Sequence, residues 1–100
     1  MNNFRTLDLA ISLYEEINKL KLGGVLQNQF DRSLLSICLN LAEGSARPTS
    51  KDRRKFYYIS YSSLKEVSTI LKLRNINKYN EKISCLAAHI WKLAQNPGGY

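Results

Sequence analysis

The chain has 100 residues, 44% of them hydrophobic, which suits one domain with a modest core and is too apolar for a disordered segment. Its 15 Lys and Arg outnumber its 8 Asp and Glu, so the formal net charge is +7. A basic excess of this size favours acidic partners, with nucleic acid first, although acidic proteins and plain solubility fit it as well.

The sequence shows neither a membrane span nor a signal peptide, and these two features bear on where the protein is located. No stretch is apolar and long enough to span a bilayer, and the first residues are not followed by the apolar run of a signal peptide. We therefore expect a soluble cytoplasmic protein without a membrane partner. Cys38 and Cys85 have no metal-ligand spacing, so we expect two buried free thiols.

Apolar residues at helical spacing predict two helices in the first half of the chain. The first is expected over residues 6–22 and ends at a glycine turn that begins with Gly23. The second is expected over residues 25–46 and is closed by Pro48, which disfavours helical geometry at the residue before it. Gly44 inside this helix indicates a helix end or the close approach of another backbone.

The second half of the chain predicts two more helices. One is expected over residues 50–74 with Thr49 as its N-cap, and the other over residues 80–95 before an Asn-Pro-Gly-Gly stop. Four amphipathic helices with short turns and no strand-like alternation predict an all-α fold. We expect one domain over residues 1–100, an up-down-up-down antiparallel four-helix bundle.

The second helix carries a polar stripe beside its apolar one. Its members recur at spacings of three and four: Gln29, Arg32, Ser36, Asn40, Glu43 and Arg47. If the second and third helices are antiparallel, residues at equal height have numbers that sum to about 98. That rule places Arg32 level with Glu66. It also places Ser36 level with Ser62.

We therefore predict a polar seam between the second and third helices that contains an Arg32–Glu66 ion pair. The seam comprises Arg32, Ser36, Asn40, Glu43, Ser62 and Glu66. It would hold helix register within the bundle or between subunits. The alternative is that these are ordinary exposed polar positions, where an ion pair contributes about 0 to 1 kcal/mol.

Cations crowd the turn between the second and third helices. They are Arg47, Lys51, Arg53, Arg54 and Lys55, with Asp52 as the only acid among them. Positive charge at a helix start opposes the helix dipole, while the free amides there attract phosphate. Aromatic residues follow at once, and interleaved cations and aromatics can bind phosphates and stack bases. We predict that these five cations contact nucleic acid. The alternative is a solvated charge run, with Phe56 and Tyr61 in the core.

The sequence has few candidate catalytic residues. His89 is the only histidine, and its place near the apolar stripe of the fourth helix favours a structural role. There is no Gly-rich phosphate loop and no nucleophile beside a base. We expect no catalysis, no cofactor and no metal. An enzyme that acts through His89 or Glu43 would need a pocket around those residues.

The polar stripe and the helix after it carry a motif. It reads Gln29-x-x-Arg32-Ser33-x-x-Ser36-Ile37-x-x-Asn40-x-Ala42-Glu43-Gly44-x-x-Arg47, then Phe56, then Ser62-Ser63-Leu64-x-Glu66. This motif resembles the bacterial four-helix bundle family encoded in intervening sequences of 23S ribosomal RNA genes. Related small basic bundles accompany the reverse transcriptases of diversity-generating retroelements. The match covers the second and third helices well and the opening Phe4-x-x-Leu7 more loosely.

The resemblance implies an up-down bundle that assembles into a ring, typically a pentamer, with a positive surface. It also implies binding to nucleic acid or to a nucleic-acid enzyme such as a reverse transcriptase, without catalysis. We therefore expect an oligomeric accessory protein that binds RNA or DNA, with avidity from its symmetry. The alternative is a homo-oligomeric protein-interaction scaffold in which charge only steers the encounter.

Overall fold

A computed structural model describes residues 2–98, and the side chains of residues 5–98. Met1, Gly99, Tyr100 and the side chain of Phe4 in the motif lie outside the described residues. The described part contains four helices and no strand: α1 (Asn2–Ile17), α2 (Gly24–Ala46), α3 (Ser50–Leu73) and α4 (Asn80–Gln95). None of them is long and apolar enough to cross a bilayer.

The helices pack in sequence order around a common core. Each packs against the next one along the chain, and α1 closes the arrangement by packing against α4. The α2–α3 contact is the most extensive and the α1–α4 contact the smallest. The molecule measures 39 × 23 × 18 Å. The predicted up-down-up-down four-helix bundle is confirmed.

All four helices contribute to the core. Its most deeply buried apolar side chains are Ile17, Phe30, Leu34, Ile37, Tyr57, Leu64, Val67, Leu71, Leu86 and Ile90. Burying a side chain of this size stabilises a fold by about 1.5 to 3 kcal/mol. Because isolated helices of this length are marginal in water, this shared apolar face is what stabilises them.

The first helix ends earlier than its predicted limit at residue 22. It stops at Ile17, and Leu20 and Leu22 leave the helix to pack half-buried against the core. The Leu22 N–H then donates to Oε1 of Gln27 at 2.6 Å. The apolar spacing predicted one more helical turn here. The two leucines are instead buried on a non-helical segment, and the Gln27 side chain satisfies the backbone amide of Leu22.

Two short turns set the ends of α2. Gly23 and Gly24 have φ angles of +76° and +58°, a region that glycine enters readily and other residues rarely. At the other end, Thr49 caps α3 as predicted, because its Oγ1 accepts a hydrogen bond from the Asp52 N–H at 3.2 Å. The turn before Thr49 brings α3 alongside α2, and the glycine turn brings α2 alongside α1.

The two cysteines differ in environment. Both are free thiols, as predicted. Cys38 is half-buried, and burial raises its pKa to about 11. Cys85 is exposed, so the prediction that both are buried is wrong for this residue. It lies on the solvent side of α4, one position before the buried Leu86.

At Gly44, α3 approaches α2 closely. This glycine is buried within α2, and a Cβ at this position would lie 2.8 Å from Cε1 of Tyr57 and 3.1 Å from Cβ of Phe56. Carbon atoms pack at about 3.5 to 4.0 Å. The atoms that come close to Gly44 are side-chain atoms of α3 and not the backbone that one alternative predicted, whereas α2 does end two residues later, at Ala46.

We expect Gly44→Ala to lower the free energy of unfolding. Overpacking of this kind costs about 1 to 3 kcal/mol, which exceeds the gain of about 1 kcal/mol in helix propensity. Urea denaturation followed by circular dichroism measures the change. Ala88→Gly, at an exposed position of α4, is the control and should cost about 1 kcal/mol by propensity alone. A Gly44→Ala variant more stable than the parent would contradict the close packing.

Candidate nucleic-acid interface

The predicted basic cluster lies at one end of the bundle, and Arg53 is tied into the protein there. Its Nε donates to the Pro97 carbonyl at 2.7 Å, and its Nη1 donates to the Arg47 carbonyl at 2.8 Å. Its Nη2 donates to Oγ of Ser50 at 3.2 Å. All three guanidinium nitrogens therefore have protein acceptors. Arg53 joins the α2–α3 turn to the segment after α4.

Arg54 uses only one of its guanidinium nitrogens to bond to the protein. Its Nε donates to the Ala94 carbonyl at 3.1 Å, in the last turn of α4. A cation is favoured there by the helix dipole. In the described part of the chain, its two terminal nitrogens have no acceptor, so they remain available to a ligand.

The Phe56 ring contacts two cations of the cluster, Arg47 and Lys55. The guanidinium carbon of Arg47 is 4.9 Å from its ring centroid, and Nζ of Lys55 is 5.9 Å away. Arg47 also forms an ion pair with Glu43 at 2.6 Å. Glu43 therefore lies in a surface ion pair with Arg47 and not in the α2–α3 seam. Cation–π contacts of this kind stabilise by about 0.5 to 1 kcal/mol at exposed sites.

In the part of the chain that the structure describes, Lys51 is not held by other side chains. It is exposed, and among the described residues it has no hydrogen bond or ion pair. The cluster contains five cations against the two acids Glu43 and Asp52. These seven residues therefore carry a net charge of +3.

Three aromatic side chains that sequence reasoning did not assign to the site lie beside the basic cluster. Trp91 on α4 is 47% exposed and Tyr58 on α3 is 37% exposed. The Trp91 ring centroid is 6.0 Å from that of Tyr58 and 5.2 Å from that of Tyr61. Among the aromatic residues in the first half of α3, Tyr57 lies in the core, whereas Phe56 and Tyr61 are half-buried. In the sequence, Tyr58 and Tyr61 follow Arg54 at helical spacing, and this spacing could have placed both tyrosines on the same helix face as that cation.

A cleft between the start of α1 and the end of α4 surrounds His89. Its lining residues are Arg5, Thr6, Ala88, His89, Lys92, Leu93 and Asn96. Nδ1 of His89 donates to the Cys85 carbonyl at 2.9 Å. No carboxylate is among these lining residues, so His89 has no acid–base partner there. No three His, Cys, Asp or Glu side chains of the described residues are grouped to hold a metal.

The comparison with protein families agrees with the motif. A family model described as 23S rRNA-intervening sequence protein matches residues 4–95. The chain belongs to this family. The family predicted from the motif is therefore confirmed. No curated protein and no solved structure gave a match.

In this member of the family, much of the motif forms the α2–α3 contact. Oγ of Ser33 donates to Oε1 of Glu66 at 2.6 Å, and Nε2 of Gln29 donates to the other oxygen, Oε2, at 2.7 Å. The hydroxyls of Ser36 and Ser63 bond to each other at 2.8 Å. Each of these bonds crosses from α2 to α3.

Three further hydrogen bonds lie at this contact, two of them within α2 and one from α3 to α2. Nδ2 of Asn40 donates to the Ser36 hydroxyl and to the Ser36 carbonyl, both at 2.9 Å. Oγ of the buried Ser60 donates to the Ile37 carbonyl at 2.9 Å. Small side chains at these positions let the two helices approach closely while every hydroxyl finds a partner.

The predicted Arg32–Glu66 ion pair is wrong. Arg32 is exposed, and Glu66 bonds to Gln29 and Ser33 instead. Ser62 is also exposed, and Ser63 is the serine that faces α2. The predicted heights were close, but each facing position is one residue further along. A guanidinium remains hydrated at the surface, whereas a serine fits the narrow gap at little desolvation cost.

We expect Ser33→Ala to destabilise the protein and Arg32→Ala to leave it nearly unchanged. The first change removes a hydrogen bond to the Glu66 carboxylate, which is exposed and can be hydrated instead, and should cost about 0.5 to 1.5 kcal/mol. The second removes an exposed side chain and should change the free energy of unfolding by less than about 0.5 kcal/mol. Equilibrium denaturation in urea compares the two variants directly. Equal losses would mean that Arg32 contributes to the seam after all.

Proposed function

We propose that this protein is a non-catalytic accessory protein of the cytoplasm that binds nucleic acid through its basic turn. The observation that carries the proposal is the excess of cations with few protein partners at one end of the bundle. Lys51, Lys55 and the terminal nitrogens of Arg54 contact phosphates. Arg47 and Arg53 hold the turn in shape. The family description refers to 23S rRNA, which supports RNA as the partner.

The size of the charged surface sets the expected strength of binding. Each phosphate that a protein neutralises releases counterions, so affinity falls with salt in proportion to the number of contacts. Three free cationic groups on one chain make few contacts, and single-chain binding is therefore weak. A ring of identical chains, with a pentamer as the arrangement the family resemblance implies, multiplies such contacts through avidity.

An outward face of α2 supports self-association. Leu35 and Leu39 are 46% and 58% exposed, and Ala42 follows at helical spacing. A run of exposed apolar side chains on one helix face is typical of a contact surface. The same face fits the alternative function, a protein scaffold that holds a partner such as a reverse transcriptase without touching nucleic acid.

We expect Leu35→Glu/Leu39→Glu to reduce the molecular mass in solution from that of an oligomer to that of one chain. Two carboxylates on this face would leave charges buried without partners in any contact that covers it. Light scattering coupled to size exclusion measures the mass. Leu73→Glu, at a 67% exposed position near the end of α3, is the control and should keep the parent mass. A parent protein that runs as a single chain would refute the ring.

We expect Lys51→Gln/Lys55→Gln to weaken nucleic-acid binding and to flatten its salt dependence. Fluorescence anisotropy with labelled structured RNA and duplex DNA, each at about 50 and 200 mM salt, measures both effects. The slope of log affinity against log salt should fall by about 0.7 to 0.9 for each lysine that contacts a phosphate.

The matched control is Lys21→Gln/Lys72→Gln, which removes the same charge at the opposite end of the bundle. Its affinity should stay close to that of the parent. Equal weakening by both double variants would show that net charge and not the basic turn drives binding. The absence of salt-sensitive binding at micromolar protein would favour the scaffold instead.

A further inference from the structure

We propose that the α3–α4 face beside the basic turn is a base-stacking platform for single-stranded nucleic acid. The proposal rests on the proposed function, because it names the form of nucleic acid that the basic end takes. Tyr58 and Trp91 supply the exposed rings, and Tyr61 supports them from below. Lys51 and Arg54 flank the rings on one side and Lys65 flanks them on the other.

The spacing along α3 places these groups in one line. Lys51, Arg54, Tyr58, Tyr61 and Lys65 are separated by three, four, three and four residues, so they share one face of the helix. The line runs cation, cation, aromatic, aromatic, cation. At 1.5 Å per residue it is about 21 Å long. With bases stacked about 3.4 Å apart, that length accommodates about six nucleotides.

The rings are both exposed and held in place. The Tyr58 and Trp91 planes meet at 64°, and the Tyr61 and Trp91 planes meet at 53°, so neither pair is stacked face to face. The Tyr58 hydroxyl accepts a hydrogen bond from Nε2 of Gln95 at 3.0 Å. Rings that are already ordered lose little conformational entropy when a ligand binds. Aromatic faces of this kind stack on any base, which gives affinity without sequence preference.

The charges around the rings favour nucleic acid over a second copy of the chain. Nζ of Lys65 is 5.3 Å from the Tyr61 centroid, and Lys92 follows Trp91 directly. Glu66, the acid next to Lys65, bonds to α2 at the seam. The aromatic face is therefore bordered by cations. Docking a second copy on it would oppose like charges, whereas a phosphate backbone would neutralise them.

The geometry selects single strands over duplexes. In a duplex, the faces of the bases are covered by their neighbours and the side chains reach only edges and phosphates. A single strand can place its bases on Tyr58 and Trp91 while its phosphates meet the flanking cations. The basic turn alone would accept either form, so the aromatic rings are what distinguishes them.

Trp91 is the only tryptophan of the chain, so its fluorescence reports on this face alone. We expect a single-stranded ten-nucleotide oligo(U) to quench that fluorescence in a saturable titration. A ten-base-pair duplex at the same phosphate concentration should leave it nearly unchanged. The parent protein suffices for this experiment, so it does not depend on how well a variant folds.

Substitution gives the second arm of the test. Trp91→Leu should weaken binding of the labelled ten-nucleotide strand by about 5- to 150-fold, the range that the loss of one stacked base implies. Trp91→Phe, which keeps a ring, should recover part of that loss. Ile59→Ala, at a similarly exposed position outside the line, is the control and should bind as the parent does. Circular dichroism verifies that each variant is folded.

The outcomes separate this proposal from the one it rests on. Salt-sensitive binding that Lys51→Gln/Lys55→Gln weakens, with no quenching and no effect of Trp91→Leu, would overturn the platform and keep the basic turn. Absence of any nucleic-acid binding would overturn both. A Trp91→Leu variant with lower molecular mass and unchanged affinity would mark the face as a protein contact and would also overturn the platform.

Discussion

The rest of the structure depends on the close contact between α2 and α3. Gly44 has no side chain where Tyr57 and Phe56 cross it, and serines at positions 33, 36, 60 and 63 fill the remaining gap. Helices that approach this closely must satisfy every polar group between them, because water is excluded. The hydroxyls do so by bonding across the contact. Since this is the most extensive contact in the bundle, it sets the register to which the other helices conform.

That register also shapes the basic end. The turn between α2 and α3 projects its cations from a rigid pair of helices, and Arg53 then fastens the turn to the carbonyl of Pro97. The members of the cluster therefore differ in how firmly they are held. Arg53 donates to two carbonyls and a hydroxyl, Arg54 donates to one carbonyl, and Lys51 has no hydrogen bond or ion pair among the described residues. The five cations look alike in the sequence, and their hydrogen-bond acceptors in the structure are what distinguishes them.

Periodicity was enough to predict the fold. Apolar spacing, the glycine turn and the Thr49 cap predicted four antiparallel helices, and the motif around Asn40 and Gly44 predicted the family. The residue pairs across the seam were harder to predict than the helices. If a helix turns about its axis by one residue, every partner changes, although the polar stripe in the sequence looks the same. Arg32 and Ser33 are adjacent in sequence, yet one is hydrated and the other is buried. Trp91 was overlooked because the partners that place it at the site, Tyr58 and Tyr61, lie on another helix.

The uneven packing of the four helices has a consequence for how the bundle opens. The α2–α3 hairpin joins neighbours in sequence through a short turn, so its contacts form at little cost in loop entropy. The contact of α1 with α4 is the smallest and joins the most distant parts of the chain, with an exposed Lys82–Glu16 ion pair that contributes little. We therefore expect local unfolding to start by detachment of α1. That motion would expose part of the apolar face of α4 and leave the α2–α3 hairpin, which carries the basic turn, intact.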